Sequence, residues 1–348
     1  MEKNGVENLI LDLRDNGGGY LKTAIDLADQ FLDEKKMIVY TKGMSSPKSE
    51  YFSSSKGMFK RGRLAILINE GTASASEIVS GAIQDWDKGI LIGRRSYGKG
   101  LVQRPFNLMD GSLIRLTIAR YYTPTGRLIQ KPYAEGYDEY SHDIVNRISS
   151  GEMFSCDSVH FADSLRHLTL STGRTVYGGG GIMPDVFIPL DTTRYPEFYK
   201  KISKNGKLND FVLDYVDKNR SFLFKTYPDF EDYKAGFEID EGFLRNLLKF
   251  AILENIHDKL SEEEMLAVQI SDSFEIPSKM RGISHENDAV KNHLKALIAR
   301  DLWGTEAYYQ VLNLSDEAFM KAFEIIEDEQ QYMMVLKSQL AVKEYAKP

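Results

Sequence analysis

Ser74, Ser76 and Lys99 are the side chains whose type and placement suit covalent chemistry. Both serines lie where the apolar run Leu64 to Ile68 gives way, through Asn69-Glu70-Gly71-Thr72, to a helical pattern that reaches Trp86. A hydroxyl at such a strand-to-helix turn has the first backbone N–H groups of the helix beside it. Those groups can hold the oxyanion of an acyl-transfer intermediate. The same place also suits a plain helix N-cap, a frequent role for serine.

A serine nucleophile needs a base. The six histidines are His142, His160, His167, His257, His285 and His293, and none falls at a strand end or a glycine turn. Lys99 stands instead in Tyr97-Gly98-Lys99-Gly100, where two glycines let the backbone approach other groups closely. An amine serves as base once burial lowers its pKa from about 10.4 toward neutrality. Gln103, four residues on, shares a face with Lys99 if the stretch is a strand, and its amide would orient the amine without adding charge. Taken alone, Lys99 is an ordinary turn lysine.

A rival reading takes Gly93 to Gly100 as a phosphate loop, G-x-x-x-x-G-K-[ST]. The match fails at Gly100, where the magnesium-binding hydroxyl belongs, and Leu101-Val102-Gln103 before Pro105 opens a helix poorly. Asp12, Asp15, Asp85 and Asp87 are too scattered to argue for a metal, and Arg14 and Asp15 read as loop-pairing residues.

These residues must be held by a scaffold, and the pattern outlines one. Asn8 to Leu13 reads as a buried strand running into the glycine loop Asp15-Asn16-Gly17-Gly18-Gly19, followed by an amphipathic helix over 20–32. Strands are expected at 37–40, 64–68 and 90–92, and a hairpin at 102–122 around Met109-Asp110-Gly111. Residues 44–60 read as a Ser/Lys-rich loop, 137–170 as polar helical insertions, and Gly178 to Gly181 as a sharp backbone turn. Beyond 200 the chain reads helical, with one stripe at Leu244, Leu247, Leu248, Ala251 and Ile252 and another at Phe319, Phe323 and Ile326. Ser261 with Glu264 makes a capping-box pattern. The expectation is an α/β fold, a mixed β-sheet core with covering helices over 1–200, followed by a mainly α-helical domain over 201–348. In such folds ligands meet the carboxyl ends of strands, where both glycine turns lie.

With 42% hydrophobic and 27% charged residues over 348 positions, the chain is an ordinary globular composition of two-domain length. Its lone Cys156 excludes an internal disulfide. A net charge of -7 argues against a general nucleic-acid binder, and the chain has no apolar run of membrane-spanning length. The charge is uneven: 25 basic against 24 acidic residues up to 200, then 19 against 27, consistent with a boundary there.

Leu11-Asp12-Leu13-Arg14-Asp15-Asn16-Gly17-Gly18-Gly19, Thr72-Ala73-Ser74-Ala75-Ser76-Glu77-Ile78, Tyr97-Gly98-Lys99-Gly100 with Gln103, Asp110-Gly111-Ser112, Tyr122-Thr123-Pro124-Thr125-Gly126-Arg127 and Gly179-Gly180-Gly181-Ile182 with Pro184-Asp185 follow one another in the order found in the C-terminal processing, or tail-specific, peptidases. Over about residues 7–188 the chain resembles that family of serine–lysine endopeptidases. The resemblance implies Ser74, 25 residues before the lysine, as nucleophile, Lys99 as general base and Gln103 as the group positioning its amine. Ser76 becomes a helix-start residue, and the amides of Ala75 and Gly18 form the oxyanion hole. It further implies no metal or organic cofactor, substrates that are proteins or peptides with exposed C-termini, and a parent protein that is bacterial and periplasmic or otherwise exported, although this chain shows no signal peptide. Family members carry a PDZ domain and the first core strands upstream, so the chain is expected to begin at the second half of the core. An unpaired sheet edge would then invite self-association. The competing expectation is a catalytically incomplete, peptidase-like binding or scaffold module. No role is assigned to 201–348.

Overall fold

The computed structural model describes residues 5–133, 136–254, 288–337 and 343–344. Two compact units emerge, one formed by Met1–Leu190 with Glu317–Pro348 and the other by Asp191–Asp316.

The first unit is built on two sheets. Strands β1 (Asn8–Asp12), β4 (Arg63–Ile68), β5 (Ile90–Gly93), β10 (Val186–Phe187) and β11 (Lys343–Glu344) form one sheet in the order β1-β4-β5-β10-β11, with every pair parallel. Strands β2 (Met37–Lys42), β3 (Ser49–Phe52), β6 (Leu101–Asn107) and β7 (Leu113–Tyr122) form an antiparallel sheet in the order β3-β2-β7-β6. A small ribbon pairs β8 (Arg166–Leu168) with β9 (Thr175–Tyr177).

The run Leu64-Ala65-Ile66-Leu67-Ile68 is apolar at every position because β4 is covered on both faces. Leu64, Ile66 and Ile68 join the core containing Ala28 of helix α1 (Leu21–Asp29) and Ile78, Val79, Ala82 and Ile83 of helix α2 (Ala75–Asp85). Ala65 and Leu67 join a second core with Ile90, Ile92 and Val186 and with the C-terminal helices described below. Register pairs Leu11 with Ile66 and Leu67 with Ile92, so β1, β4 and β5 release their loops side by side at one end.

The expected α/β class holds, with the parallel and antiparallel pairings segregated into separate sheets. Residues 44–60 contain a strand, β3, which the sequence conceals because it is an exposed edge without apolar alternation. The insertion after 137 is helical in part. Helices α3 (Tyr137–Ser141) and α4 (Asp143–Ser149) are followed by 3-10 turns and by β8.

The second unit is helical: α5 (Glu197–Lys204), α6 (Lys207–Thr226), α7 (Phe230–Gly236), α8 (Glu241–Leu253), α9 (Asp288–Trp303) and α10 (Thr305–Leu312). The stripe Leu244, Leu247, Leu248, Ala251 and Ile252 is buried in its core. The capping box at Ser261 and Glu264, with His257 and His285, lies outside the described residues.

Two further helices, α11 (Glu317–Glu327) and α12 (Glu329–Leu336), belong to the first unit, although the sequence groups everything after 200 into one domain. α11 buries Ala318, Ala322, Ile325 and Ile326 against the parallel sheet. Of the expected stripe, Ile326 is buried, Phe319 is partly covered and Phe323 is 48% exposed, so the contact face is turned toward the alanines and isoleucines. Tyr332 of α12 reaches the start of β4, where its hydroxyl lies 3.2 Å from both the N–H and the carbonyl oxygen of Leu64.

Candidate active site

The loops after β1, β4 and β5 carry the glycine turn, the serines and the lysine, and they are tied to one another by polar contacts. Thr72 donates its hydroxyl proton to the Leu13 carbonyl and accepts from the Asn69 N–H, at 2.8 and 2.9 Å. Asn69 accepts from the Asp15 N–H at 2.8 Å and donates to the Asp15 carboxylate at 3.0 Å. Ala73 N–H reaches the Asn16 carbonyl and Tyr97 N–H reaches the Thr72 carbonyl, at 3.0 and 2.9 Å. Arg14 folds back on Asp12 at 2.6 Å, the loop pairing its type suggests.

Ser74 sits at the turn with φ 57° and ψ -115°, a strained conformation for a residue with a side chain, and α2 starts at the next residue. Ala75 therefore offers the first N–H of a helix, with no intrahelical acceptor behind it. Three residues on, the wholly buried Glu77 accepts from the N–H groups of Ser74 (2.8 Å), Gly98 (2.7 Å) and Lys99 (2.9 Å) and from the Ser96 hydroxyl (2.5 Å). One carboxylate thus fastens the serine turn to the lysine turn. Burial pushes its pKa upward, and the four donors pull it back. The Tyr121 hydroxyl stands between the carbonyl oxygens of Ser74 and Lys99. Burial, with the Glu77 charge nearby, raises that phenol well above its ordinary range, so it remains a neutral donor.

A cleft of about 450 Å3 opens at this junction, lined by Gly17, Gly18 and Gly19 of the first loop and by Ser74, Ala75, Lys99, Gln103 and Tyr121. All five residues expected to do chemistry therefore face one space. The reason Gln103 does so differs from strand alternation with Lys99, because Lys99 precedes β6. A bulge between Val102 and Gln103 pairs them with Ala119 and Thr117, two residues of one β7 face, so both line the cleft. Among the described residues no hydrogen bond joins the Ser74 hydroxyl, the Lys99 amine and the Gln103 amide.

Gly18 touches the serine turn directly. At φ 86°, a methyl group there would come within 2.6 Å of the Ala73 oxygen and the Ala75 nitrogen. Its N–H donates to Asn16 Oδ1 at 2.9 Å, so the group expected in the oxyanion hole is held by a side chain of its own loop.

The sequence gives little notice of what braces the lysine turn from outside. Glu152 is bound by Arg95 and Arg147, each at 2.6 Å, and Arg147 also donates to the Arg95 and Ser96 carbonyls. Helix α4 of the insertion thereby grips the strand-to-lysine connection. Glu77 had a legible signal, the Ser-x-x-Glu spacing of a capping box. Tyr121 and Arg147 had none beyond their residue types.

Other candidates fall away. Ser76 is buried inside α2. His142, His160, His167 and His293 do not line the cleft. Leu101 opens a strand where a phosphate loop would need a helix. Asp85 pairs with buried Arg127, and Asp87 shares buried Arg174 with Asp185, at 2.8 and 2.7 Å. Among the described residues no group of three or more metal-ligating side chains is found, and no helix is long and apolar enough to cross a membrane.

Residues 1–137 match the model of peptidase family S41, and residues 198–304 match that of a family of unknown function, DUF8443. A carboxyl-terminal-processing protease of Synechocystis is 42% identical over 131 residues, 38% of this chain and 30% of the relative. The chloroplastic C-terminal processing peptidase of Tetradesmus obliquus is 37% identical over 131 residues, 38% of this chain and 28% of the relative. The chloroplastic carboxyl-terminal-processing peptidase 1 of Arabidopsis thaliana is 42% identical over 120 residues, 34% and 24%. The chain thus spans less than a third of the length of these relatives. A solved photosystem II D1 C-terminal processing protease is 37% identical, with a TM-score of 0.35, over 37% of this chain and 33% of that one. Over residues 1–137 the chain is thus similar to peptidase family S41, and its relatives there are C-terminal processing peptidases.

Proposed function

We propose that the first unit is a serine endopeptidase core in which Ser74 is the nucleophile and Lys99 the general base. The observation that carries this reading is the strained Ser74 turn, opening on the same cleft as Lys99 and fastened to the lysine turn through Glu77. The Lys99 amine takes the Ser74 proton as the hydroxyl oxygen attacks the peptide carbonyl. The amine leaves with that proton, and water then hydrolyses the acyl-enzyme. The Ala75 N–H and an amide of the glycine loop, Gly18, receive the oxyanion. That second contact requires the Gly18 N–H to exchange Asn16 Oδ1 for the substrate oxygen. Gln103, on the bulged strand, orients the Lys99 amine.

The substrates are proteins or peptides threaded past Ser74 in extended form. The likeness to carboxyl-terminal-processing proteases supports an exported parent protein. The reading is tested by incubating the chain with an unstructured protein ending in apolar residues, beside its Ser74→Ala and Lys99→Ala variants. Cleavage by the parent chain, lowered at least about a thousandfold in each variant, is expected. Equal cleavage by the Ser74→Ala variant would refute the assignment. If the parent chain binds the substrate without cleaving it, the scaffold reading prevails.

A further inference from the structure

We propose that Arg115 is the carboxylate-binding residue of the cleft, so that the substrate presents a carboxylate there, from an acidic side chain or from its own C-terminus. The proposal rests on the peptidase reading for the substrate's being a peptide.

Arg115 lies on β7 opposite Pro105 of β6, and Thr117 lies opposite Gln103 on the same face. This face forms one wall of the cleft, since Val102, Gln103, Pro105 and Arg115 all line it. Pro105 has no N–H, so β6 offers no backbone donor at that rung. Arg104, on the other face of the ribbon, lies over the Phe106 ring and away from the cleft lining.

Most arginines behind the site are already paired. Arg94 pairs with Glu70, Arg95 and Arg147 with Glu152, Arg127 with Asp85, and Arg174 with Asp87 and Asp185. Arg115 enters none of the hydrogen bonds or ion pairs among the described residues. The described cleft lining contains no Asp or Glu at all, while Tyr20, Leu21, Ile78 and Val102 make much of it apolar. A planar guanidinium in such a place matches a carboxylate through two parallel N–H donors. An extended peptide would seat apolar groups on the lining and one carboxylate on Arg115. Arg115 is exposed, so solvent screens the contact and the preference is salt-sensitive.

The test uses the full chain carrying Ser74→Ala, so that binding is not followed by cleavage. Fluorescence anisotropy measures four labelled decapeptides of one apolar sequence: free C-terminus, amidated C-terminus, amidated with an internal Glu, and amidated with Gln at that position. At low salt one carboxylate-bearing peptide binds about two- to fivefold tighter than its neutral counterpart. Adding Arg115→Gln removes that preference and leaves the neutral peptides unchanged, whereas Arg115→Lys keeps part of it. In the Ser74→Ala chain alone, 500 mM salt erases most of the preference. The free-end and Glu arms identify which carboxylate is read. Four equal affinities, a preference that survives Arg115→Gln or high salt, or no binding at all would overturn the proposal. Cleavage by the parent chain, measured in parallel, separates the two ideas: binding preference without cleavage removes the peptidase reading, and cleavage without preference removes the Arg115 site.

Discussion

Glu77 is where the residue-scale argument concentrates, because one buried carboxylate closes the site from two sides. Its two oxygens accept four hydrogen bonds, three of them from backbone N–H groups that can only donate. Replacing it with alanine leaves those donors buried without an acceptor, at a cost on the order of 3 kcal/mol or more. For a unit of this size that predicts a melting temperature lower by roughly 6–12 °C. Glu77→Gln keeps one acceptor oxygen and turns an NH2 group toward opposing donors, so it should fall between the parent and Glu77→Ala. Calorimetry on the three proteins checks the order. If Glu77→Ala melts with the parent, the carboxylate is not what joins the turns. Turns and glycines marked Ser74, Ser76 and Lys99 as candidates in the sequence, but the choice between the two serines came from the family resemblance and not from residue type. Gln103 was legible for a different reason than the one that places it, since the bulge that turns it to the cleft leaves no mark in residue type. Glu77 carried only its capping-box spacing. Its other three donors come from around Ser96 to Lys99, more than eighteen residues on, which no local pattern reveals.

At the scale of elements, the site is three loops released by adjacent parallel strands, and their spacing is fixed by close backbone contact. Gly18 marks the tightest point. Alanine there would put a methyl group within 2.6 Å of two backbone atoms of the serine turn, at a φ of 86° that disfavours any side chain. The glycine loop must then move away from Ser74. If Ala75 and Gly18 share the oxyanion, losing one donor costs about 100- to 1000-fold in kcat. Gly18→Ala is therefore expected to lower kcat by about that factor, while the melting temperature falls by only a few degrees because the loop is exposed. A variant with unchanged kcat would show that the loop takes no part. The strands behind these loops were readable wherever burial forces an apolar run, as at Leu64 to Ile68, and unreadable where it does not, as in the exposed edge strand Ser49–Phe52.

For the whole molecule, an amphipathic stripe shows that a helix packs without showing which core receives it. The chain leaves the first unit at Leu190 and re-enters it at Glu317, and α11 reads no differently in sequence from the helices of the second unit. The helical second unit has a property of its own in His293, buried on α9 among Tyr195, Tyr199 and Tyr308. Its Nδ1 lies 3.0 Å from the Tyr199 hydroxyl. Burial, helped by the nearby charges of Arg194 and Arg300, lowers its pKa to about 4 from an ordinary 6.5. Above pH 6.5 the ring is neutral in both folded and unfolded chains, and the stability of the unit is full. Below it the unfolded chain takes up a proton that the folded ring refuses, so stability is lost progressively until about pH 4. At about 1.4 kcal/mol per pH unit, the loss from this one group approaches 2 kcal/mol between pH 6.5 and pH 5. Carboxylates contribute to acid sensitivity as well, but mainly at lower pH, so the signature of His293 is the early part of the decline. Urea unfolding of chains carrying Trp86→Phe, followed through Trp303, which packs on Tyr233 in the same core, reports the unit directly. His293→Gln keeps a polar partner for Tyr199 and removes the titration. Its stability should stay nearly level from pH 6.5 to pH 5 while the parent's declines, and parallel curves would mean that another group governs the acid response of this unit.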